Sequence, residues 1–411
     1  MRSMRLTQSE RDFIAAHSTD DVHELALHTK PQPDFNLPLV LDQIAGRQIA
    51  QRKLPQWAEH SGIIYPPHLA MEQCSSQFTA QCKARIAAEL TSDAAHPTSL
   101  VDLTGGFGVD FSYMARDFDA ATYVERQESL CELAEHNLRE LGLAHVNVVH
   151  SDGVEYLRAM PPATLIYLDP ARRDEHGSRT YAIEDCTPNV LELRDLLLGK
   201  APVVMIKLSP MLDWRKTVDD FAGAASQLII TASANECKEI VVVLERGRHE
   251  QVRITCVNDS QHLEFTVGTD DFASAQAATL VDPNDLPAQQ YLYEPNAAIM
   301  KAGAFRELQR EFAGTDLKQI GANSHLFVST QAIREFPGRA FVIDAIGTLN
   351  KRELKALLAG VERANITVRN FPLTAQQLRK KLKLKDGGDA YIFATTVAGR
   401  HVLLRTHKLA H

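Results

Sequence analysis

Between Thr98 and Glu245, short β-branched runs alternate with helical stretches, and this alternation constrains the fold more than any other feature of the chain. The runs are SLVDL, ATYVE, VNVVH, TLIYLD, VVMIKL, QLIITAS and EIVVVLE. Between them, apolar residues recur every three or four positions, as in Glu128 to Leu141 (ESLCELAEHNLREL). Strands separated by helices predict an α/β domain with a parallel sheet. The last two runs, 227–233 and 239–245, stand too close for an intervening helix and predict an antiparallel hairpin at the sheet edge.

The chain is longer than this one domain requires. Its 411 residues allow two to four folding units at roughly 100 to 200 residues each. Residues 1–95 read as a helical lead-in, with helices predicted over Leu39 to Arg52 and Gln77 to Leu90. Between these, Pro66 and Pro67 force an extended entry into Glu72-Gln73-Cys74-Ser75-Ser76. Residues 96–246 form the α/β domain, 247–330 a small α+β unit with a helix over Ala297 to Phe312, and 331–411 a last unit. In that last unit we predict strands at Ala340 to Ile346, Asn365 to Asn370, 390–397 and 402–407, and a helix over Lys351 to Ala364. A composition of 45% apolar and 23% charged residues excludes a disordered chain. No run approaches the roughly 20 apolar residues of a membrane span, and Met1-Arg2-Ser3-Met4-Arg5 leads into polar sequence rather than a signal core. The six cysteines make no CxxC pair, and the sixteen histidines show no HxxxH or other metal-ligand spacing on a predicted helix. The expectation is a soluble cytoplasmic protein with neither a membrane partner nor a metal.

The chemistry concentrates where predicted strands end. Asp102-Leu103-Thr104-Gly105-Gly106-Phe107-Gly108 follows the first strand and opens a helix, and its glycines let a ligand approach the backbone. The second strand ends in Glu125, 17 residues past Gly108, where a carboxylate can accept from both hydroxyls of a ribose. Ser151-Asp152-Gly153 ends the third, with a carboxylate suited to an adenine amino group. Asp169-Pro170-Ala171-Arg172 ends the fourth. Four consecutive strand ends with such groups at one sheet edge predict a nucleotide-type ligand there.

These residues resemble the class I S-adenosylmethionine-dependent methyltransferases over roughly residues 60 to 245. The resemblance assigns Asp102, Gly106 and Gly108 to the first motif of that family, Glu125 to its ribose acid and Asp152 to its adenine acid. It implies S-adenosylmethionine as cofactor, held also by Thr104, Gly105, Gly153 and Ser76; the alternative for Ser75 and Ser76 is to cap the helix that begins with Gln77, the more common use of serine at such a place. Asp169, Pro170 and Arg172 stand at the fourth motif and are the expected catalytic residues. Ala171 and Arg172 replace the second proline and the aromatic usual in enzymes that methylate amino nitrogens, which brings the motif closer to the Asp-Pro-Pro-Arg of some RNA methyltransferases. In the related uracil-5 enzymes a cysteine precedes Asn-Pro after the fifth strand, whereas here Lys207-Leu208-Ser209-Pro210 offers no thiol. The resemblance therefore implies direct transfer to a nitrogen.

A narrower group is also similar: bacterial methyltransferase-like proteins with a ferredoxin-like unit and a C-terminal THUMP-like domain. It shares Glu72-Gln73-Cys74-Ser75-Ser76, Asp169-Pro170-Ala171-Arg172-Arg173, Lys207-Leu208-Ser209-Pro210, and Thr367-Val368-Arg369-Asn370-Phe371-Pro372-Leu373 leading into Leu382-Lys383-Leu384-Lys385-Asp386-Gly387-Gly388. The implied fold class is a Rossmann-like methyltransferase sheet with an N-terminal helical region and small C-terminal α+β domains. The implied partner is RNA, tRNA or rRNA.

Charge distribution agrees with a polyanionic partner. Residues 351–411 carry 13 Lys or Arg against 4 Asp or Glu, a net +9; the whole chain is at −8, so the first 350 residues carry −17. Thr374 caps a predicted helix around whose end Arg379, Lys380, Lys381, Lys383 and Lys385 crowd, with Arg369, Arg400 and Arg405 on neighbouring strands. A basic cluster at a helix C-terminus also complements the helix dipole, which is the alternative reading of these residues. Two other functions compete with methyl transfer. A nicotinamide oxidoreductase wants a third small residue where Phe111 stands. A protein that binds nucleotide and RNA without turnover is the second rival.

Overall fold

The computed structural model describes residues 6–30, 35–171, 183–269 and 278–410. It divides into two compact units, Met1–Leu228 with Glu239–His249, and Ile229–Lys238 with Glu250–His411.

The first unit begins with helices α1 (Gln8–Ala16), α2 (Val22–His28), α3 (Leu37–Lys53), α4 (Pro55–Ala58), α5 (His68–Gln73) and α6 (Gln77–Thr91). A capping box starts α1, with Thr7 Oγ1 accepting from Glu10 N and the Glu10 carboxylate accepting from Thr7 N. The prolines keep residues 63–67 extended, and side-chain amides satisfy that backbone from two helices. Gln43 of α3 pairs with both N and O of Tyr65. Asn137 pairs in the same way with Ile64. Such pairing solves the problem of a buried segment that belongs to no sheet.

The alternating sequence then lays down β1 (Ser99–Asp102), α7 (Val109–Met114), β2 (Ala120–Glu125), α8 (Glu128–Glu140), β3 (Val146–His150), α9 (Gly153–Ala159), β4 (Leu165–Leu168), α10 (Val190–Lys200), β5 (Val203–Leu208), α11 (Trp214–Asp220), β6 (Ala225–Ser233) and β7 (Glu236–Glu245). Strand order is β3-β2-β1-β4-β5-β7-β6. The first five are parallel to their neighbours, and β7 is antiparallel to β5. Asn137 of α8 holds the extended segment of the lead-in, and α6 packs beside α7. Ala234 and Asn235, both at positive φ, make the two-residue turn of the expected hairpin.

In the second unit the tip of that hairpin is followed in the sheet by β8 (Gln251–Asn258) and β9 (Gln261–Gly268). A separate sheet contains β10 (Tyr291–Pro295), β11 (Lys318–Gln319), β12 (Phe327–Ser329), β13 (Gly338–Gly347), β14 (Asn365–Val368), β15 (Tyr391–Val397) and β16 (Arg400–Lys408), in the order β11-β12-β10-β13-β16-β15-β14. The helix expected over Ala297 to Phe312 is two, α12 (Ala297–Ala302) and α13 (Phe305–Glu311), because Gly303 adopts φ 66° and closes the first. Helix α14 (Lys351–Leu357) is also shorter than expected, and α15 (Ala375–Leu382) starts from Thr374 through a capping box. The sheet buries both faces: Ile392, Ala394 and Leu403 pack with Leu357, Leu378 and Leu382 of the two helices, while Phe393 and Leu404 join Phe341, Leu292 and Val328 on the other side. The period-two alternation of strands produces this division.

Candidate active site and basic surface

Strand order reverses between β1 and β4, so a crevice opens outside the carboxyl ends of the strands, where ligands of such sheets bind. Every strand end singled out by sequence lies there. Asp102 is buried, accepts from Thr104 N at 2.9 Å and from its hydroxyl at 3.3 Å, and burial pushes its carboxyl up to about 8. The turn that follows is tied to β2: Gly105 N donates to Val124 O, Gly106 N to Glu125 Oε2 at 3.0 Å, and Tyr123 Oη to Gly106 O. Gly106 has φ 58°, and a Cβ placed on it meets nothing nearer than Thr104 O at 3.7 Å. The space above this backbone is thus free, as a nucleotide-sized ligand requires. Glu125 Oε1 accepts from Gln127 N, which fixes the carboxylate while leaving lone pairs for hydroxyl donors. Asp152 Oδ1 caps α9 through Val154 N and Glu155 N, and Asp152 Oδ2 takes no hydrogen bond from a described residue. Gly153 has a structural reason: a Cβ there would lie 2.2 Å from Leu103 O. The residues present accordingly fit an adenosine-bearing cofactor.

Thr104 joins this turn to the fourth strand, since its Oγ1 accepts from Asp169 N at 2.6 Å. The Asp169 side chain is 42% exposed and pairs with Lys207 Nζ at 2.6 Å. Ala171 bridges to Thr187. Arg172 lies outside the described residues.

Beneath Asp169 the structure assembles an ionic array whose members Lys83, Asp110 and Glu239 sequence reading missed. Lys83 of α6, with 1% of its side chain exposed, pairs with Glu239 of β7 and lies 3.2 Å from Asp110 Oδ1, off the hydrogen-bonding direction. Asp110 Oδ2 accepts from Ser75 Oγ and Tyr167 Oη, each at 2.8 Å, and Lys207 Nζ is 3.9 Å away. Burial opposes the charge on Asp110, but Lys83 and Lys207 outweigh it with these hydrogen bonds and hold the carboxyl below its ordinary range. Burial raises Glu239 in spite of Lys83, while Asp169, Asp110 and Glu239 overcome burial to raise the Lys207 ammonium. The available signal was a lysine inside the buried stripe of α6 and a glutamate opening an apolar strand run. Of the two serines, Ser75 reaches this array; Ser76 caps α6 by accepting from Thr79 N. Burial pushes the nearby Cys74 thiol up to about 11. Among the described residues no cluster of three His, Cys, Asp or Glu side chains is placed to hold a metal.

In the second unit the basic residues divide into two kinds. Lys380, Lys381, Lys383 and Lys385 are exposed and make no ion pair with a described residue. Arg379 pairs with Asp386 and donates to Ala364 O at 3.2 Å. Arg369 and Arg339 share the buried Glu294 carboxylate. Arg405 donates to Leu357 O and Ala359 O. No helix among the described residues is long and apolar enough to cross a membrane.

Parallel strands β1 to β5, the appended hairpin and the glycine turn define a class I methyltransferase, the class that uses S-adenosylmethionine. Two family profiles match toward the C-terminus: a ferredoxin-like domain at residues 291–337 and a THUMP domain-like region at residues 338–408. Along nearly its whole length the chain is similar to the crystal structure of a proposed methyltransferase from Porphyromonas gingivalis W83, with 30% identity, 98% of each chain covered and a TM-score of 0.81. The chain belongs to this methyltransferase family. Slighter likenesses are to a SAM-dependent methyltransferase of Agrobacterium tumefaciens (18% identity, 40% of this chain and 61% of that one, TM-score 0.32). An rRNA methylase of Streptococcus thermophilus stands at a similar distance (14% identity, 39% and 93%, TM-score 0.30). No curated protein matches the chain.

Proposed function

We propose that the protein transfers a methyl group from S-adenosylmethionine to a base nitrogen of structured RNA, a tRNA or rRNA. Asp102, Thr104, Gly105, Gly106, Gly108, Glu125, Asp152 and Gly153 form the cofactor's seat, with Glu125 for ribose hydroxyls and Asp152 Oδ2 for the adenine amino group. The bound cofactor supplies an electrophilic methyl on a sulfonium. Asp169 and the Pro170 carbonyl accept hydrogen bonds from the target nitrogen and orient its lone pair, which is a positioning effect more than base catalysis.

The observation that carries this reading is the 2.6 Å bond from Asp169 N to Thr104 Oγ1. Through it the acceptor-holding residue is anchored on the cofactor turn itself. A covalent route through cysteine has no support nearby, because a thiol pushed up to about 11 is not a thiolate at neutral pH. The exposed lysines around the end of α15 recruit RNA through its phosphates.

The test is methyl transfer to total RNA, followed by mass spectrometry of modified nucleosides in RNA from a deletion strain. Asp169→Ala is expected to lower turnover about 10³-fold with cofactor affinity retained. Full activity in that variant, or a covalent adduct with 5-fluoropyrimidine RNA, would overturn the reading. Binding of S-adenosylmethionine and RNA with no turnover would instead favour the non-catalytic alternative.

A further inference from the structure

The parallel register Leu168↔Ile206 places Asp169 and Lys207 side by side, just past the end of the β4–β5 ladder. Lys207 Nζ lies 2.6 Å from Asp169 Oδ2 and 3.9 Å from Asp110 Oδ2. Asp110 stands two residues past Gly108, at the start of α7, and is itself fixed from three sides by Ser75, Tyr167 and Lys83. Among the described residues, Lys207 is the one side chain that hydrogen-bonds the Asp169 carboxylate. Without it, a carboxylate that is 42% exposed has nothing to stop it turning toward solvent.

We infer that Lys207 is a positioning residue: it spans from the start of the helix that follows the cofactor turn to the acceptor-binding Asp169, and thereby sets where that carboxylate meets the target nitrogen. The inference rests on the proposed role of Asp169. A span of this kind matters because an error of about 1 Å in the reacting geometry costs on the order of 10²-fold in rate. Lys83 and Glu239 act one layer below, by keeping Asp110 in place. Of the groups that interact with Asp169, Asp102 carries a carboxyl and Tyr167 a phenol, and Lys207 is the cation in direct contact.

The experiment compares Lys207→Met and Lys207→Arg with the parent full-length chain. In Lys207→Met, turnover of RNA is expected to drop about 10²-fold while S-adenosylhomocysteine affinity by calorimetry stays within about threefold. The loss is expected in turnover rather than in the KM for RNA. Lys207→Arg keeps a donor in reach of Asp169 and is expected to regain part of the rate. A separate reading needs no RNA: at one fixed pH the carbon-13 signal of the Asp169 carboxyl, assigned through Asp169→Asn, is expected to be displaced or broadened in Lys207→Met relative to the parent and Lys207→Arg, because the carboxylate is no longer held in one orientation. An Asp169 signal that is the same in all three proteins overturns the inference, as does turnover in Lys207→Met within threefold of the parent. Absence of turnover in the parent, with the change in the Asp169 signal present, would count against the proposed function and leave the span intact.

Discussion

In the first unit Lys83, Asp110, Lys207 and Glu239 are buried or nearly so, and each has an opposite charge against it, whereas at the end of α15 in the second unit Lys380, Lys381 and Lys383 face solvent and make no ion pair with a described residue. The two arrangements answer to different physics. Ions taken out of water lose hydration worth several kcal/mol each, and their partners restore it only where the geometry is good. An array of this kind fixes positions more than it adds stability. Exposed lysines lose almost no hydration, and their long-range pull on a polyanion is screened within about 10 Å at 0.1 M salt.

The sharpest way to break this comparison is to unpair the buried array. Lys83→Met leaves Glu239 and Asp110 with one cation fewer, and urea unfolding should show a loss of about 3 to 5 kcal/mol. Adding Glu239→Leu should recover most of it, since an apolar pair of similar volume replaces the ions. A second measurement concerns Asp102, whose carboxyl is raised by burial to about 8. Its folded form binds a proton that the unfolded chain gives up near pH 4, so its share of stability is full below about pH 4 and is lost as pH rises toward 8. Asp102→Asn keeps the acceptor for Thr104 and has no proton to lose. Its stability relative to the parent should therefore improve with rising pH, by at most about 1.4 kcal/mol per unit, as read from unfolding midpoints at pH 5 and pH 8.

The smallest expected change in stability comes from the exposed side. Converting Lys380, Lys381 and Lys383 to Glu should cost only about 1 to 2 kcal/mol of unfolding free energy, through the lost complement to the dipole of α15. The same variant should weaken RNA binding by roughly 10- to 100-fold at low salt and flatten its salt dependence. A parent-like RNA affinity and salt slope would assign the basic helix to another partner, or to solubility alone.

The same contrast explains what could be read from the chain. Gly106, Glu125, Asp152 and Asp169 were legible because each follows a strand, and strand order in a parallel sheet brings such ends to one edge. The lysines of α15 were legible because they are contiguous. Lys83 and Glu239 stand 156 positions apart, and no local rule pairs them. Ser76 shows the opposite difficulty: its sequence neighbourhood is shared with Ser75, and only the rotation of the chain at the start of α6 decides which hydroxyl caps the helix and which reaches Asp110. The helix after Ala297 was read as continuous although Gly303 lay within it, since an apolar period on both sides masks a break that one backbone angle makes.

Lys383 closes α15 with φ 58° and ψ 36°, a conformation in which glycine is at ease and a residue with a Cβ gives up on the order of 1 kcal/mol. The backbone asks for the smallest residue, and the chain places there one of its longest cations. Selection for heat resistance would favour glycine at this position and would make the protein less basic as it did so. Melting temperature and surface charge are therefore opposed at a single residue, and a variant optimised for one would carry a different amino acid from a variant optimised for the other.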